Sequence, residues 1–123
     1  LSGLPKLDTV VLSCTPISDL SPLAGNTSIK TLDCHSANIR DLSPLAEMTQ
    51  LELLFLNQNM ISDISPLQYV TTLTHLDLSD NHIRDISALA QMPQLAELMI
   101  SSNPITDLSP LSYRTEPMYL EFI

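Results

Sequence analysis

The chain predicts an α/β solenoid in which each repeat contributes one short strand and one short helical turn. Two observations carry that prediction. A 22-residue unit recurs without insertion or deletion from first residues Leu7, Ile29, Leu51, Leu73 and Leu95, with partial copies over 1–6 and 117–123. Within each unit, positions 1, 4, 6, 11, 14 and 17 are apolar in all five copies, from Leu7, Val10, Leu12, Ile17, Leu20 and Leu23 to Leu95, Leu98, Ile100, Ile105, Leu108 and Leu111. A composition of 44% apolar but only 4% aromatic residues, with no Trp and two Gly, agrees with interlocking aliphatic side chains rather than a turn-rich sandwich. At 123 residues the expectation is a single domain spanning 1–123.

Each element has a local reason. Positions 4 and 6 are apolar between polar or variable neighbours, the period of a half-buried strand, so one short parallel strand per copy is expected. Later in the unit comes Asp-Leu/Ile-Ser-Pro-Leu, as in Asp19–Leu23, Asp41–Leu45, Asp63–Leu67 and Asp107–Leu111, with Ala88 replacing the proline in copy four. Proline has no N–H to waste at a helix start and serine can cap one, so a helical or 3-10 turn with Ser as its N-cap is expected there. The aspartate ladder, Asp19, Asp41, Asp63, Asp85 and Asp107, can accept the backbone N–H two residues ahead. That structural role is favoured over a calcium-binding stripe, because no partner ligand recurs at fixed spacing. A lone copy buries too little to offset its ordering entropy, so stability must come from stacking.

Leu51–Leu67, LELLFLNQNMISDISPL, fits the pattern LxxLxLxxNxIxDLSPL and resembles the 22-residue repeats of bacterial internalins and of the related phosphatase-regulatory class. The resemblance covers nearly the whole chain. It implies a right-handed leucine-rich repeat solenoid with parallel strands on the concave face, short helices or 3-10 turns on the convex face, and a role in protein recognition. It also suggests a secreted or surface bacterial protein. Asn59, Asn81 and Asn103 match the family's asparagine ladder, whose side chains bond the turn backbone, whereas Thr15 and Ala37 stand there in copies one and two and Asn38 follows one residue late. Cys34 in TLDCHSANI resembles a cysteine variant of such repeats. The caps that close family members at both ends are missing: Leu1–Lys6 reads as the tail of a preceding copy, and Met118–Ile123 begins another strand with Leu120 and Phe122. The expectation is a fragment of a longer solenoid, or a homo-dimer paired through a terminal strand edge.

Several function classes are disfavoured. A net charge of −9 with five basic residues argues against nucleic acid, whose phosphates need clustered Lys and Arg. No apolar run approaches the ~18 residues of a membrane-spanning helix, so membrane insertion is not expected. LSGLPKLDTV lacks signal-peptide regions, while a start at Leu1 rather than Met leaves room for a segment upstream. Cys14 and Cys34 fall at non-equivalent positions of successive copies, which argues against a bridge; Cys34 reads as a small buried hydrophobe and Cys14 as a rim residue. Without a phosphate loop, a nucleophile elbow or a Cys/His pair on one face, neither an enzyme nor a cofactor is expected.

Strand positions 3, 5 and 7 point away from the core and vary freely. Position 3 reads Thr9, Thr31, Leu53, His75, Glu97, Tyr119; position 5 reads Val11, Asp33, Phe55, Asp77, Met99, Glu121. With neighbouring strands ~4.8 Å apart, Leu53 and Phe55 form an exposed apolar centre flanked by Asp33, His35, His75 and Asp77, an arrangement suited to a protein partner. His75, Asp77 and Glu97 converge as possible metal ligands, yet nothing completes the set, and a solvated polar patch is the favoured reading. His82 and Asn38 are expected in solvent-facing turns. The sequence thus predicts a non-catalytic module binding a protein on its concave face around Leu53, Phe55, Asp33, His35, His75, Asp77, Glu97 and Met99, with an intracellular regulatory subunit or a structural spacer as the alternatives.

Overall fold

The computed structural model describes residues 7–112, 114 and 117–122. Six three-residue strands, β1 (Thr9–Val11), β2 (Thr31–Asp33), β3 (Leu53–Phe55), β4 (His75–Asp77), β5 (Glu97–Met99) and β6 (Tyr119–Glu121), pair in parallel and in chain order within one open sheet. Between them lie five 3-10 turns, η1 (Ser21–Leu23), η2 (Ser43–Leu45), η3 (Ser65–Tyr69), η4 (Ser87–Leu89) and η5 (Ser109–Leu111). The result is a right-handed solenoid with strands on its concave face and 3-10 turns on its convex face.

Strand register matches the 22-residue period throughout: Val10 pairs with Leu32, Leu32 with Leu54, Leu54 with Leu76, Leu76 with Leu98 and Leu98 with Leu120. The ladder continues past the strands, through Cys34 N–H to Phe55 C=O at 2.9 Å and Gln58 N–H to Ser79 C=O at 2.9 Å. Strict alternation therefore puts every position-3 and position-5 side chain in a column on the outer face.

Copies two, three and four bury all six of their repeated apolar residues. At the ends burial is weaker. Leu7, Leu12, Leu108 and Leu111 are only partly buried, and Ile17 is 39% exposed. Leu12 and Ile17 line an apolar cavity of about 220 Å³ with Leu20, Pro22 and Leu23. The cause is stacking: a copy's faces are covered by its two neighbours, and copies one and five each have one complete neighbour among the described residues. The core also includes a position absent from the sequence-based list: Met48, Val70 and Met92, at position 20, are buried. In the outer copies polar groups hold that position. Asn26 Oδ1 accepts the Ser28 and Ile29 N–H groups at 2.8 and 3.1 Å, and the Arg114 guanidinium donates to the Met92 carbonyl at 2.8 Å and to that of Leu95.

The aspartates do what their spacing suggests. Oδ1 of Asp19, Asp41, Asp63, Asp85 and Asp107 each accepts the backbone N–H of the serine two residues on, at 2.9 Å in every copy. Serine itself is not the N-cap. The cap position falls on Leu20, Leu42, Ile64, Ile86 and Leu108, none with a side-chain bond, and serine is the first residue of the 3-10 turn. Because the Asp carboxylate already satisfies the serine N–H, the hydroxyl turns back instead, donating to Asp19 Oδ2 and Asp41 Oδ2 at 3.0 Å. The turn forms as well around Ala88 as around proline.

The asparagines join copies together. Asn59, 7% exposed, accepts the Ala37 and Ile39 N–H groups at 3.0 and 2.9 Å through Oδ1, and donates through Nδ2 to the Cys34 and Leu56 carbonyls at 3.0 and 2.9 Å. Asn81 and Asn103 repeat the pattern, accepting from Ile61 and Ile83 at 3.0 Å. In copy one Thr15 donates a single bond to the Leu12 carbonyl at 2.5 Å. Copy two solves the missing asparagine differently. Position 8 has positive φ in every copy, at Cys14, Ser36, Gln58, Asp80 and Ser102, but copy two adds a second such residue, Asn38 at φ 59°. Asparagine tolerates the left-handed region better than most residues, so its one-residue displacement fits this extra bend.

Candidate functional site

Parallel register assembles the concave columns as spacing predicted. Thr31, Leu53, His75 and Glu97 lie side by side, as do Asp33, Phe55, Asp77 and Met99. Leu53, Phe55 and Met99 are not fully exposed; each is half-buried, because a side chain on a closely spaced sheet is flanked by its neighbours in adjoining strands. The freely exposed apolar side chains of this face are at its ends, Val11 at 61% and Tyr119 at 58%.

The polar residues around that centre separate into two pairs. On one flank, Asp33 Oδ1 meets His35 Nδ1 at 2.6 Å and also accepts the His35 backbone N–H at 3.2 Å. On the other, His75 Nε2 lies 3.4 Å from Glu97 Oε2, while its Nδ1 is 3.0 Å from the Thr74 hydroxyl. Asp77 uses Oδ1 to accept the Ser79 N–H at 3.0 Å, stiffening its own turn as Asp33 does in copy two. Among the described residues, no three His, Cys, Asp or Glu side chains gather as a metal-holding group. Ser101 Oγ and Glu121 Oε1, 3.2 Å apart, extend the polar border toward β6. His82 and Asn38 are exposed.

The cysteines need one correction. Cys34 is buried, and burial, with a smaller contribution from the Asp33 charge, pushes its thiol up to about 12. Cys14 is an exposed free thiol. Contrary to the expectation that no Cys/His pair shares a face, Cys14 Sγ lies 3.8 Å from His35 Nε2. The two belong to successive copies and are 21 residues apart, almost one repeat, so stacking brings them together. Scanning residue pairs at an offset near 22 would have revealed it.

A family profile described as Leucine Rich repeats (2 copies) matches residues 27–69 and 71–113. The chain belongs to the leucine-rich repeat family. Within it, the chain is similar to two internalins of Listeria monocytogenes known from crystal structures. Internalin C2 is 36% identical with a TM-score of 0.96, the match covering 99% of this chain and 54% of that one. Internalin F is 38% identical with a TM-score of 0.94, covering 98% and 36%. The leucine-rich repeat chain thus spans about half of one relative and about a third of the other. The functional domain of InlJ from Listeria monocytogenes, described as including a cysteine ladder, shares the fold at 24% identity and a TM-score of 0.77. The comparison with curated proteins gives no match. The leucine-rich repeat fold is typical of protein–protein interaction modules, and internalin-like proteins are generally non-enzymatic recognition modules. Among the described residues, no helix is long and apolar enough to cross a membrane.

Proposed function

We propose that the chain is a non-catalytic recognition module that binds a protein partner on its concave face. The observation that carries this reading is the pairing of half-buried Leu53 and Phe55 on β3 with polar residues in register on both sides, Thr31 and Asp33 on β2, His75 and Asp77 on β4. Structural positions in this repeat are filled by the same residue types in copy after copy; these two columns change at every step but one, Thr9 to Thr31. An apolar anchor ringed by polar groups is how protein interfaces concentrate their affinity. His35, Glu97 and Met99 complete the surface, with the Asp33–His35 and His75–Glu97 pairs as its rim. The recognition role known for the fold class supports the reading in its coarser form.

Phe55→Ala tests it against Tyr69→Ala, a control residue 61% exposed in η3 on the convex side. Removing a half-buried ring costs roughly 1–2 kcal/mol of stability, so Phe55→Ala should fold with a modestly lower melting temperature. Captured protein partners identified by mass spectrometry should be lost with Phe55→Ala and retained with Tyr69→Ala. Retention by the first variant and loss by the second would move the interface to the convex face.

A further inference from the structure

We propose that Cys14 is a covalent modification site for small disulfides, with His35 as its proton acceptor and Asp33 as the group that positions the histidine ring. The three side chains form a row across copies one and two: Cys14 Sγ is 3.8 Å from His35 Nε2, and His35 Nδ1 is 2.6 Å from Asp33 Oδ1. An ionised carboxylate offers only lone pairs, so the short contact at Nδ1 places the ring proton there. In the neutral ring Nε2 then keeps its lone pair, directed at the sulfur. Backbone bonds hold the parts in place. Asp33 Oδ1 also accepts the His35 N–H, and the Cys14 N–H donates to the His35 carbonyl at 3.0 Å, one rung of the ladder between copies.

A nucleophile, a base within reach and a third group orienting the base are the components of an activated thiol. Exposure lets a reagent in: Cys14 is open to solvent, and the His35 and Asp33 side chains are 34% and 26% exposed. Cys34 supplies the contrast inside the same molecule, being buried with its thiol held far above neutral pH. This inference does not rest on the concave-face reading, since thiol reactivity is a property of the chain alone.

The chemistry is thiol–disulfide exchange, and the disulfide is the oxidant. The Cys14 S–H proton passes to His35 Nε2. The resulting thiolate attacks one sulfur of R–S–S–R, so a Cys14 Sγ–S bond forms as the R–S–S–R bond breaks. The departing RS⁻ takes the proton from the imidazolium and leaves as RSH, and a second RSH equivalent reverses the reaction.

The test is the reaction of the chain with 4,4′-dithiodipyridine, followed by absorbance of the released thiopyridone and by mass mapping of the adduct. One equivalent should react, at Cys14, and Cys14→Ser should abolish it. Near pH 7, His35→Gln should slow the reaction about three- to tenfold. Asp33→Asn should slow it comparably, because an amide N–H facing Nδ1 favours the other tautomer and takes the lone pair away from sulfur. Near pH 10, above the ~8.5 of a free thiol, wild-type and His35→Gln rates should converge, since ionisation then needs no acceptor. Cys34 reports folding: a variant that unfolds yields a second reacting equivalent, in which case His35→Asn takes its place. Equal rates for wild type and His35→Gln near pH 7, a deficit that persists at pH 10, or preferential reaction at Cys34 would each overturn the proposal.

Discussion

Asn59→Ala should be among the most damaging single substitutions in the chain, and its cost follows from an inventory of bonds. The side chain is 7% exposed and satisfies two backbone donors, of Ala37 and Ile39, and two carbonyls, of Cys34 and Leu56. Alanine leaves three of them without a side-chain partner, the Leu56 carbonyl keeping the Asn81 amide at 3.0 Å. An orphaned buried polar group costs about 1–3 kcal/mol, and a void the size of an amide lets water restore part of the loss. The expected net destabilisation is about 3–5 kcal/mol, a large share of the 5–15 kcal/mol typical of a folded domain. Thr15→Ala provides the scale, because Thr15 fills the equivalent position with one bond to Leu12 and should cost about 1 kcal/mol. Urea unfolding followed by far-ultraviolet circular dichroism measures both, with equal slopes confirming that the same structure unfolds. A loss for Asn59→Ala no greater than that for Thr15→Ala would refute the claim that asparagine holds successive copies together.

Two further outcomes follow from the convex side. The carboxyls of Asp19, Asp63, Asp85 and Asp107 are held below the ordinary 3.8 mainly by the backbone N–H of the serine two residues on and then by its hydroxyl. A folded-state value below the unfolded one gives stability that is present above the unfolded value and lost as pH falls through the folded one, so carboxyl ¹³C titrations should show midpoints below 3.8 and acid unfolding should begin in that range. Ala88→Pro should raise stability by about 0.4–1 kcal/mol, because Ala88 takes the place in η4 that proline fills in the other four turns. A fall in melting temperature would show that the η4 backbone differs from its counterparts.

Much of the fold was legible because a repeat states each rule several times. The Asp contribution could be read from spacing alone, since its partner is two residues away. Burial of Leu54, Leu76 and Leu98 followed from alternation. Other features depend on groups outside the residue concerned. Met48, Val70 and Met92 do not stand out in the sequence because Asn26 and Arg114 break the apolar pattern at position 20, and in the outer copies those polar groups bond backbone instead. Ile17 matches every consensus residue yet stays 39% exposed, because its burial depends on a neighbouring copy rather than on its own identity. Ser-Pro signals a helix start with serine as its cap in general, but here the aspartate two residues earlier takes the N–H.

The concave columns and the Cys14–His35–Asp33 row differ in a way that bears on how such chains should be read. A column joins residues 22 apart, as Phe55 and Asp77 are, and strand alternation alone locates it. Some contacts beyond the strand drift from that offset. Cys14 reaches His35 at 21 and Ile39 reaches Asn59 at 20, whereas Ser36 still reaches Gln58 at 22. The drift arises where the turn after each strand passes through positive φ at position 8, which swings its side chains off the strand repeat. A functional group in that turn can therefore be paired with a different position of the next copy, as Cys14 is with His35. Cys14 stands at position 8 and His35 at position 7, so a search confined to equivalent positions passes them by. The proposed thiol site thus joins two different repeat positions, where local backbone geometry and stacking must be considered together.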